Sequence, residues 1–274
     1  MYDVYISNIV LFAVMKKYAA QVEYFGKTYF GWQRQTGLST VQSTLEAAIS
    51  IVANEEIEVF CAGRTDSGVH ASGQVIHFET NSPRTINNWV LGVNSNLPPE
   101  VRVRWVVEVD SLFHARFSAT SRKYRYIILQ EDMPSCFLMD RVTWINRPLN
   151  VIKMNKAAES LLGEQDFSSF RAANCQSSTP MRNITNVCIK EQGRFIVLEI
   201  EANAFLYHMV RNIMGSLLDV GFGKRAPSWF HELILKKDRS LASPTAPPSG
   251  LYLVGVSYPI HFGLLKIIDG PCFI

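Results

Sequence analysis

Cysteine is scarce in this chain and is never paired in sequence. Cys61, Cys136, Cys175, Cys188 and Cys272 are the 5 cysteines of 274 residues, and no Cys-x-x-Cys spacing occurs. An odd, scattered set excludes a disulfide framework and a thiolate zinc site; free thiols in a reducing cytoplasm fit it. His70 and His77 follow Cys61, but the spacing matches no usual ligand pattern, so structural roles and no metal are expected. A bilayer span is also lacking. The largely apolar stretch from Tyr2 to Val14 is too short, and it carries neither the basic start nor the cleavage site of a signal peptide. Strong charge is absent: the net value is +3 and the pI about 8.6, which does not by itself argue for nucleic acid. No internal repeat and no long strand–helix alternation is present.

What is there is a globular composition, 47% hydrophobic and 19% charged, in a chain long enough to bury a full core. Tyr18–Tyr24 alternates as a strand does. Thr40–Val52 has helical spacing, with Ser39 or Thr40 as N-cap. Val101, Val103, Trp105, Val107 and Val109 alternate with Arg102, Arg104 and Glu108, predicting a strand with one polar face. Arg122–Leu129 reads as a strand and Val151–Leu162 as a helix. Gln192-Gly193 separates two strand-like runs as a hairpin turn would. Ala204–Val220 predicts a long amphipathic helix with Phe205 and Met209 on its inner face. Trp229–Lys237 predicts a shorter helix, and Leu251–Tyr258 a closing strand. Strands and helices mix in both halves, which points to an α+β fold with largely antiparallel sheets.

The most informative stretch is Gly63-Arg64-Thr65-Asp66-Ser67-Gly68-Val69-His70, between the apolar runs Ile57–Ala62 and Val75–Phe78. It reads as strand, tight loop, strand, with Asp66 at the loop. A carboxylate beside a fixed guanidinium is held in its charged form and can serve as nucleophile or general base. Asp and Gly are also ordinary turn residues.

The segment Val59–Ala71 resembles the signature loop of the TruA family of tRNA pseudouridine synthases. Tyr29–Gln35 is similar to that family's first motif. Phe113–Ala119 and Arg122–Tyr126 resemble its central motif. Ala204–Asn212 and Gly250–Leu253 resemble its C-terminal motifs. The blocks run in family order from about Lys16, so Met15 is expected as the natural start, or residues 1–14 as an added N-terminal extension.

The resemblance implies two similar α+β subdomains, 15–118 and 119–274, whose sheets meet at a central active-site cleft. It implies isomerisation of uridine to pseudouridine at nucleotides 38, 39 and 40 of the tRNA anticodon stem-loop, without a cofactor, by a homodimer. It assigns Asp66 as the reacting carboxylate, attacking ribose C1′ or uracil C6 or abstracting a sugar proton. It assigns Arg211 as the cation that orients Asp66. Tyr124 would stack on the target uracil, with removal of the C5 proton as a further role, and Leu251 would line the other side. Arg64 would hold the phosphate backbone or fill the space left by the extruded base. Arg34, Arg102, Arg104, Arg116, Lys123 and Arg125 are further candidates for the tRNA backbone. Lys123 and Arg125 flank Tyr124 in a strip of bases and aromatics that suits RNA. Two other readings stand beside this one. A carboxylate glycosidase or nucleoside hydrolase would usually need a second carboxylate, for which Glu79 is the nearest downstream. A non-catalytic RNA-binding module would leave Asp66 without a chemical role.

Overall fold

The computed structural model describes residues 15–265 and 270–274; the expectation about residues 1–14 lies outside them. The strands are β1 (Lys16–Tyr24), β2 (Phe60–Cys61), β3 (His70–Thr80), β4 (Val101–Val109), β5 (Ser121–Gln130), β6 (Thr143–Ile145), β7 (Gly163–Asp166), β8 (Met181–Gln192), β9 (Phe195–Ala202) and β10 (Leu251–Ser257). They form one sheet in the order β4-β1-β3-β10-β5-β9-β8-β7, with β2 on β3 and β6 on β5. All pairings are antiparallel except β10 with β3 and β5 with β6. This is the α+β, largely antiparallel architecture that the mixed pattern predicts. The C-terminal strand β10 joins the two halves: Tyr252 pairs with His70 on one side and Arg125 on the other. The junction therefore falls beside the loop that carries Asp66.

Among the described residues five helices accompany the sheet: α1 (Val41–Ala53), α2 (Ile86–Asn96), α3 (Val151–Ala158), α4 (Met209–Gly221) and α5 (Pro227–Lys236). Helix α1 starts at Thr40, whose hydroxyl accepts from the Ser43 N–H, and ends at Asn54 in the left-handed conformation. On the helical side Tyr18 packs on Trp89 of α2, and Tyr124 and Tyr126 face inward from β5. A smaller apolar cluster around Ile127, Leu129, Val197 and Val254 covers the reverse face. The hairpin β8–β9 turns where Gln192-Gly193 predicts it, with Gly193 at φ +61°.

Two expectations are corrected. Helix α4 begins at Met209, not at Ala204, so Phe205 lies in the preceding loop instead of on a helix face. The N-cap is His208 at φ +60°, and that left-handed residue interrupts the helical path. In β4 a bulge falls opposite Gln21/Val22, so Val22 pairs with Val103 and Gln21 with Trp105. The extra residue flips the alternation, and Trp105 and Val107 face away from Val101 and Val103. Helix α2 and strands β6 and β7 had no sequence expectation. Ile86–Asn96 carries four asparagines, a composition that hides its helical period.

Candidate active site

The loop from Ala62 to Val69 is held from several directions before any substrate arrives. The Gln74 side chain donates to the Gly63 carbonyl at 2.6 Å. Thr65 accepts from Trp32 N at 3.0 Å through its carbonyl, and its hydroxyl meets the Tyr24 hydroxyl at 2.8 Å. Ser67 donates to the Tyr29 carbonyl at 3.2 Å. Gly31, at φ +85°, lies so close that a Cβ there would sit 2.9 Å from the Thr65 oxygen. The Tyr29–Gln35 segment is thus the back wall of the Asp66 loop.

From the other half, Arg122 donates to the Ala62 carbonyl at 3.3 and 3.0 Å, and to those of Arg116 (2.6 Å), Ala119 (3.2 Å) and Asn203 (3.0 Å). One guanidinium joins the start of the Asp66 loop to the segment that leads into α4.

Asp66 lies at this junction with its side chain 22% exposed. Its Oδ2 is 3.3 Å from Nη1 of Arg211, in the first turn of α4. Arg211 is fixed in turn by its Nε–H, which donates to the Ala246 carbonyl at 2.9 Å. His208 Nε2 lies 3.4 Å from the same Oδ2. Burial lowers the pKa of His208; Asp66 opposes the shift, while Arg211 and Arg239 add to it. The imidazole is therefore neutral near pH 7. Tyr124 points into the same space from β5, its hydroxyl 3.8 Å from where a Cβ on Gly63 would stand. Burial first, then the Asp66 charge, push the phenol pKa up, so the hydroxyl stays protonated. Phe205 meets the Tyr124 ring edge-on at 5.1 Å. Leu251 and Leu253 pair with Tyr126 and Tyr124 across β10 and β5, and so share their face.

The structure thus brings together Asp66, Arg211 and Tyr124, with Leu251 on the same sheet face as Tyr124, while Arg64 is exposed on the Asp66 loop. It divides the other basic residues. Lys123 and Arg125 point to the reverse face, where both pair with Glu199 at 2.9 Å. Arg102 and Arg104 also lie on the reverse face; Arg104 is 3.4 Å from Glu23. Arg34 pairs with Glu46 at 2.8 Å. Arg116 is exposed on the loop that Arg122 holds, over the Phe117 ring at 5.4 Å. Strand alternation alone separates Tyr124 from its basic neighbours. Two concavities, about 540 and 330 Å³, surround Trp105 and His70 on the reverse face; Asp66 lines neither.

His70 and His77 accept backbone N–H groups from Gly26 (2.9 Å) and Ala115 (3.1 Å). Glu79 is tied to Lys17 at 3.0 Å, away from the Asp66 loop. His208 had no role in the sequence reading, and Phe205 only that of a helix inner-face residue. A histidine three residues before Arg211, in a largely apolar run, was the signal, and the helical period obscured it.

A carboxylate in a pinned, glycine-flanked loop, an arginine from the opposite half and an inward tyrosine meet at this junction. A family model described as tRNA pseudouridine synthase matches residues 20–118 and 157–259. The chain belongs to the tRNA pseudouridine synthase family, isomerases that act on uridine in tRNA. It is 54% identical over 258 residues to tRNA pseudouridine synthase A of Mannheimia succiniciproducens, covering 94% of this chain and 98% of the relative. It is 54% identical over 255 residues to the protein of that name from Shewanella baltica, covering 93% and 98%. Among solved structures, the archaeal box H/ACA sRNP Nop10-Cbf5 complex aligns at 12% identity and TM-score 0.33, over 86% of this chain and 47% of that one. No helix among the described residues is long and apolar enough to cross a membrane.

Proposed function

We propose that the chain converts uridine to pseudouridine at nucleotides 38, 39 and 40 of the tRNA anticodon stem-loop, with Asp66 as the reacting carboxylate. The observation that carries this reading is the 3.3 Å contact between Asp66 Oδ2 and Arg211 Nη1 across the junction of the two halves. The reaction breaks the bond from ribose C1′ to uracil N1 and forms one from C1′ to C5. N1 gains a proton and C5 loses one; nothing is oxidised, and no cofactor is required. Asp66 acts at ribose C1′, at uracil C6 or on a sugar proton. Arg211 holds it by a charge-assisted hydrogen bond.

Tyr124 stacks on the extruded uracil and Leu251 closes the other side. The protonated phenol favours stacking and hydrogen-bond donation over removal of the C5 proton. Arg64 and Arg116, exposed near the cleft, meet the phosphate backbone. Arg34, Arg102, Arg104, Lys123 and Arg125 reach RNA only where they exchange their present acidic or carbonyl partners for phosphate. The working unit is a cytoplasmic homodimer, each chain built of subdomains 15–118 and 119–274.

The test is to map pseudouridine in unmodified tRNA transcripts after incubation with the protein. Modification confined to nucleotides 38–40 is expected. Modification elsewhere in the tRNA, or release of free uracil, would overturn the assignment.

A further inference from the structure

Asp66 has two carboxylate oxygens, and both protein contacts fall on one of them. Arg211 Nη1 is 3.3 Å and His208 Nε2 3.4 Å from Oδ2; Oδ1 has no hydrogen-bond partner among the described residues. His208 is placed there by an unusual backbone. Among the described residues four that are not glycine have positive φ: Asn54, Asp140, His208 and Lys237. Asn54 and Lys237 end helices, where the left-handed conformation is common. His208 begins one, where an extended Ser, Thr, Asp or Asn is the rule, and its side chain caps nothing. A left-handed residue that is not glycine costs about 1–2 kcal/mol, and such strain concentrates at functional sites. Here it turns the imidazole away from the helix end and onto the carboxylate.

We propose that His208 is a positioning residue: its Nε2–H donates to Asp66 Oδ2 and, with Arg211, leaves Oδ1 as the oxygen that reacts with the uridine. The inference rests on the reading of Asp66 as the reacting carboxylate. At 3.4 Å the pair is longer and less well aligned than an ordinary hydrogen bond, and catalytic contacts of this kind tighten when substrate binds. A neutral imidazole carries one N–H, and a carboxylate facing Nε2 selects the tautomer with the proton there. Asp66, Arg211 and Arg239 are the charged groups that act on this imidazole. Two donors on one oxygen fix the carboxylate plane and concentrate the free lone pairs on the other oxygen. Arg211 alone, through one nitrogen, leaves rotation about the Cβ–Cγ bond open.

The experiment compares single-turnover pseudouridine formation and tRNA Kd for wild type, Asp66→Asn, His208→Leu, His208→Gln and His208→Asn. His208→Leu should lower the single-turnover rate about 100-fold, the low end of what one preorganised donor contributes. Its tRNA Kd should stay within about twofold, because Oδ2 is not a tRNA contact. The glutamine amide reaches about as far as Nε2, so His208→Gln should recover most of the rate. Asparagine tolerates the left-handed backbone but is too short to reach, so His208→Asn should stay slow. Wild-type rates in His208→Leu would overturn the proposal. So would a fast His208→Asn, which would make backbone conformation the only role, or a slow but folded His208→Gln. Full activity in Asp66→Asn would instead overturn the underlying reading of Asp66, independently of the His208 series.

Discussion

Replacing Arg122 by methionine should uncouple the two halves of the site. The guanidinium makes five hydrogen bonds to four backbone carbonyls, those of Ala62, Arg116, Ala119 and Asn203, and has no carboxylate partner among the described residues. Each bond contributes about 1 kcal/mol net, and each buried carbonyl left unmet costs about as much again or more. Solvent reaches some of the freed carbonyls, so the total loss should be about 3–5 kcal/mol. In a chain of this size that corresponds to about 6–20 °C in Tm, at roughly 2–4 °C per kcal/mol. The effect on chemistry should be separable from the effect on stability. Ala62 precedes the Asp66 loop and Asn203 precedes the Phe205–Arg211 segment, so loss of the clamp lets Asp66 and Arg211 drift apart. A drift of about 1 Å costs on the order of 100-fold in rate. Arg122→Lys keeps the charge, but one ammonium cannot span four carbonyls, and it should fall between the two. The assay is single-turnover pseudouridine formation well below Tm, beside calorimetry of each variant. Arg122→Met with wild-type Tm and rate would refute the clamp. A lower Tm with an unchanged rate would confine Arg122 to stability.

Gly215 lies on α4 beneath the strap that carries Ala246. A Cβ there would fall 1.9 Å from the Pro244 carbonyl oxygen, so Gly215→Ala should displace the strap, loosen the Ala246 support of Arg211 and lower activity at least tenfold in a kinetic assay. Arg211→Lys keeps charge but cannot hold Ala246 and Asp66 together as the guanidinium does; a rate loss of about 10- to 100-fold with near-normal tRNA Kd is expected. Burial depresses His70 to about 4 and His77 to about 3; His114 and Lys17 add to the shift of His77. Below pH 6.5 the unfolded chain therefore binds protons that the folded chain excludes. Stability should fall as pH drops from about 6.5 to 4, by about 1.4 kcal/mol per pH unit for each histidine, and His77→Gln should flatten that slope in denaturant titrations.

Much of this site was legible because its signals are local. Glycines and an aspartate between two apolar runs mark a loop, and the loop is where the structure has it. The strand and hairpin at Arg122–Leu129 and Gln192-Gly193 follow from alternation and turn chemistry, as does the cap at Thr40. What was not legible depends on pairing across the chain. The bulge in β4 arises from register against β1, and nothing within Val101–Val109 announces it. Lys123 and Arg125 look contiguous with Tyr124 in sequence, yet a strand sends them to Glu199 on the other face. His208 was hidden because Phe205, Met209 and Ile213 keep a helical period through a residue whose backbone is left-handed. Local pattern could not register that break, and it falls at the residue whose imidazole lies 3.4 Å from Asp66.

The central claim is that Asp66 performs the isomerisation. It is tested most directly by release of tritium from unmodified tRNA transcripts labelled at uridine C5, with wild type run beside Asp66→Asn. Release by wild type, with none by an Asp66→Asn protein that still folds and binds tRNA, is the predicted result. Equal release by both would contradict the account.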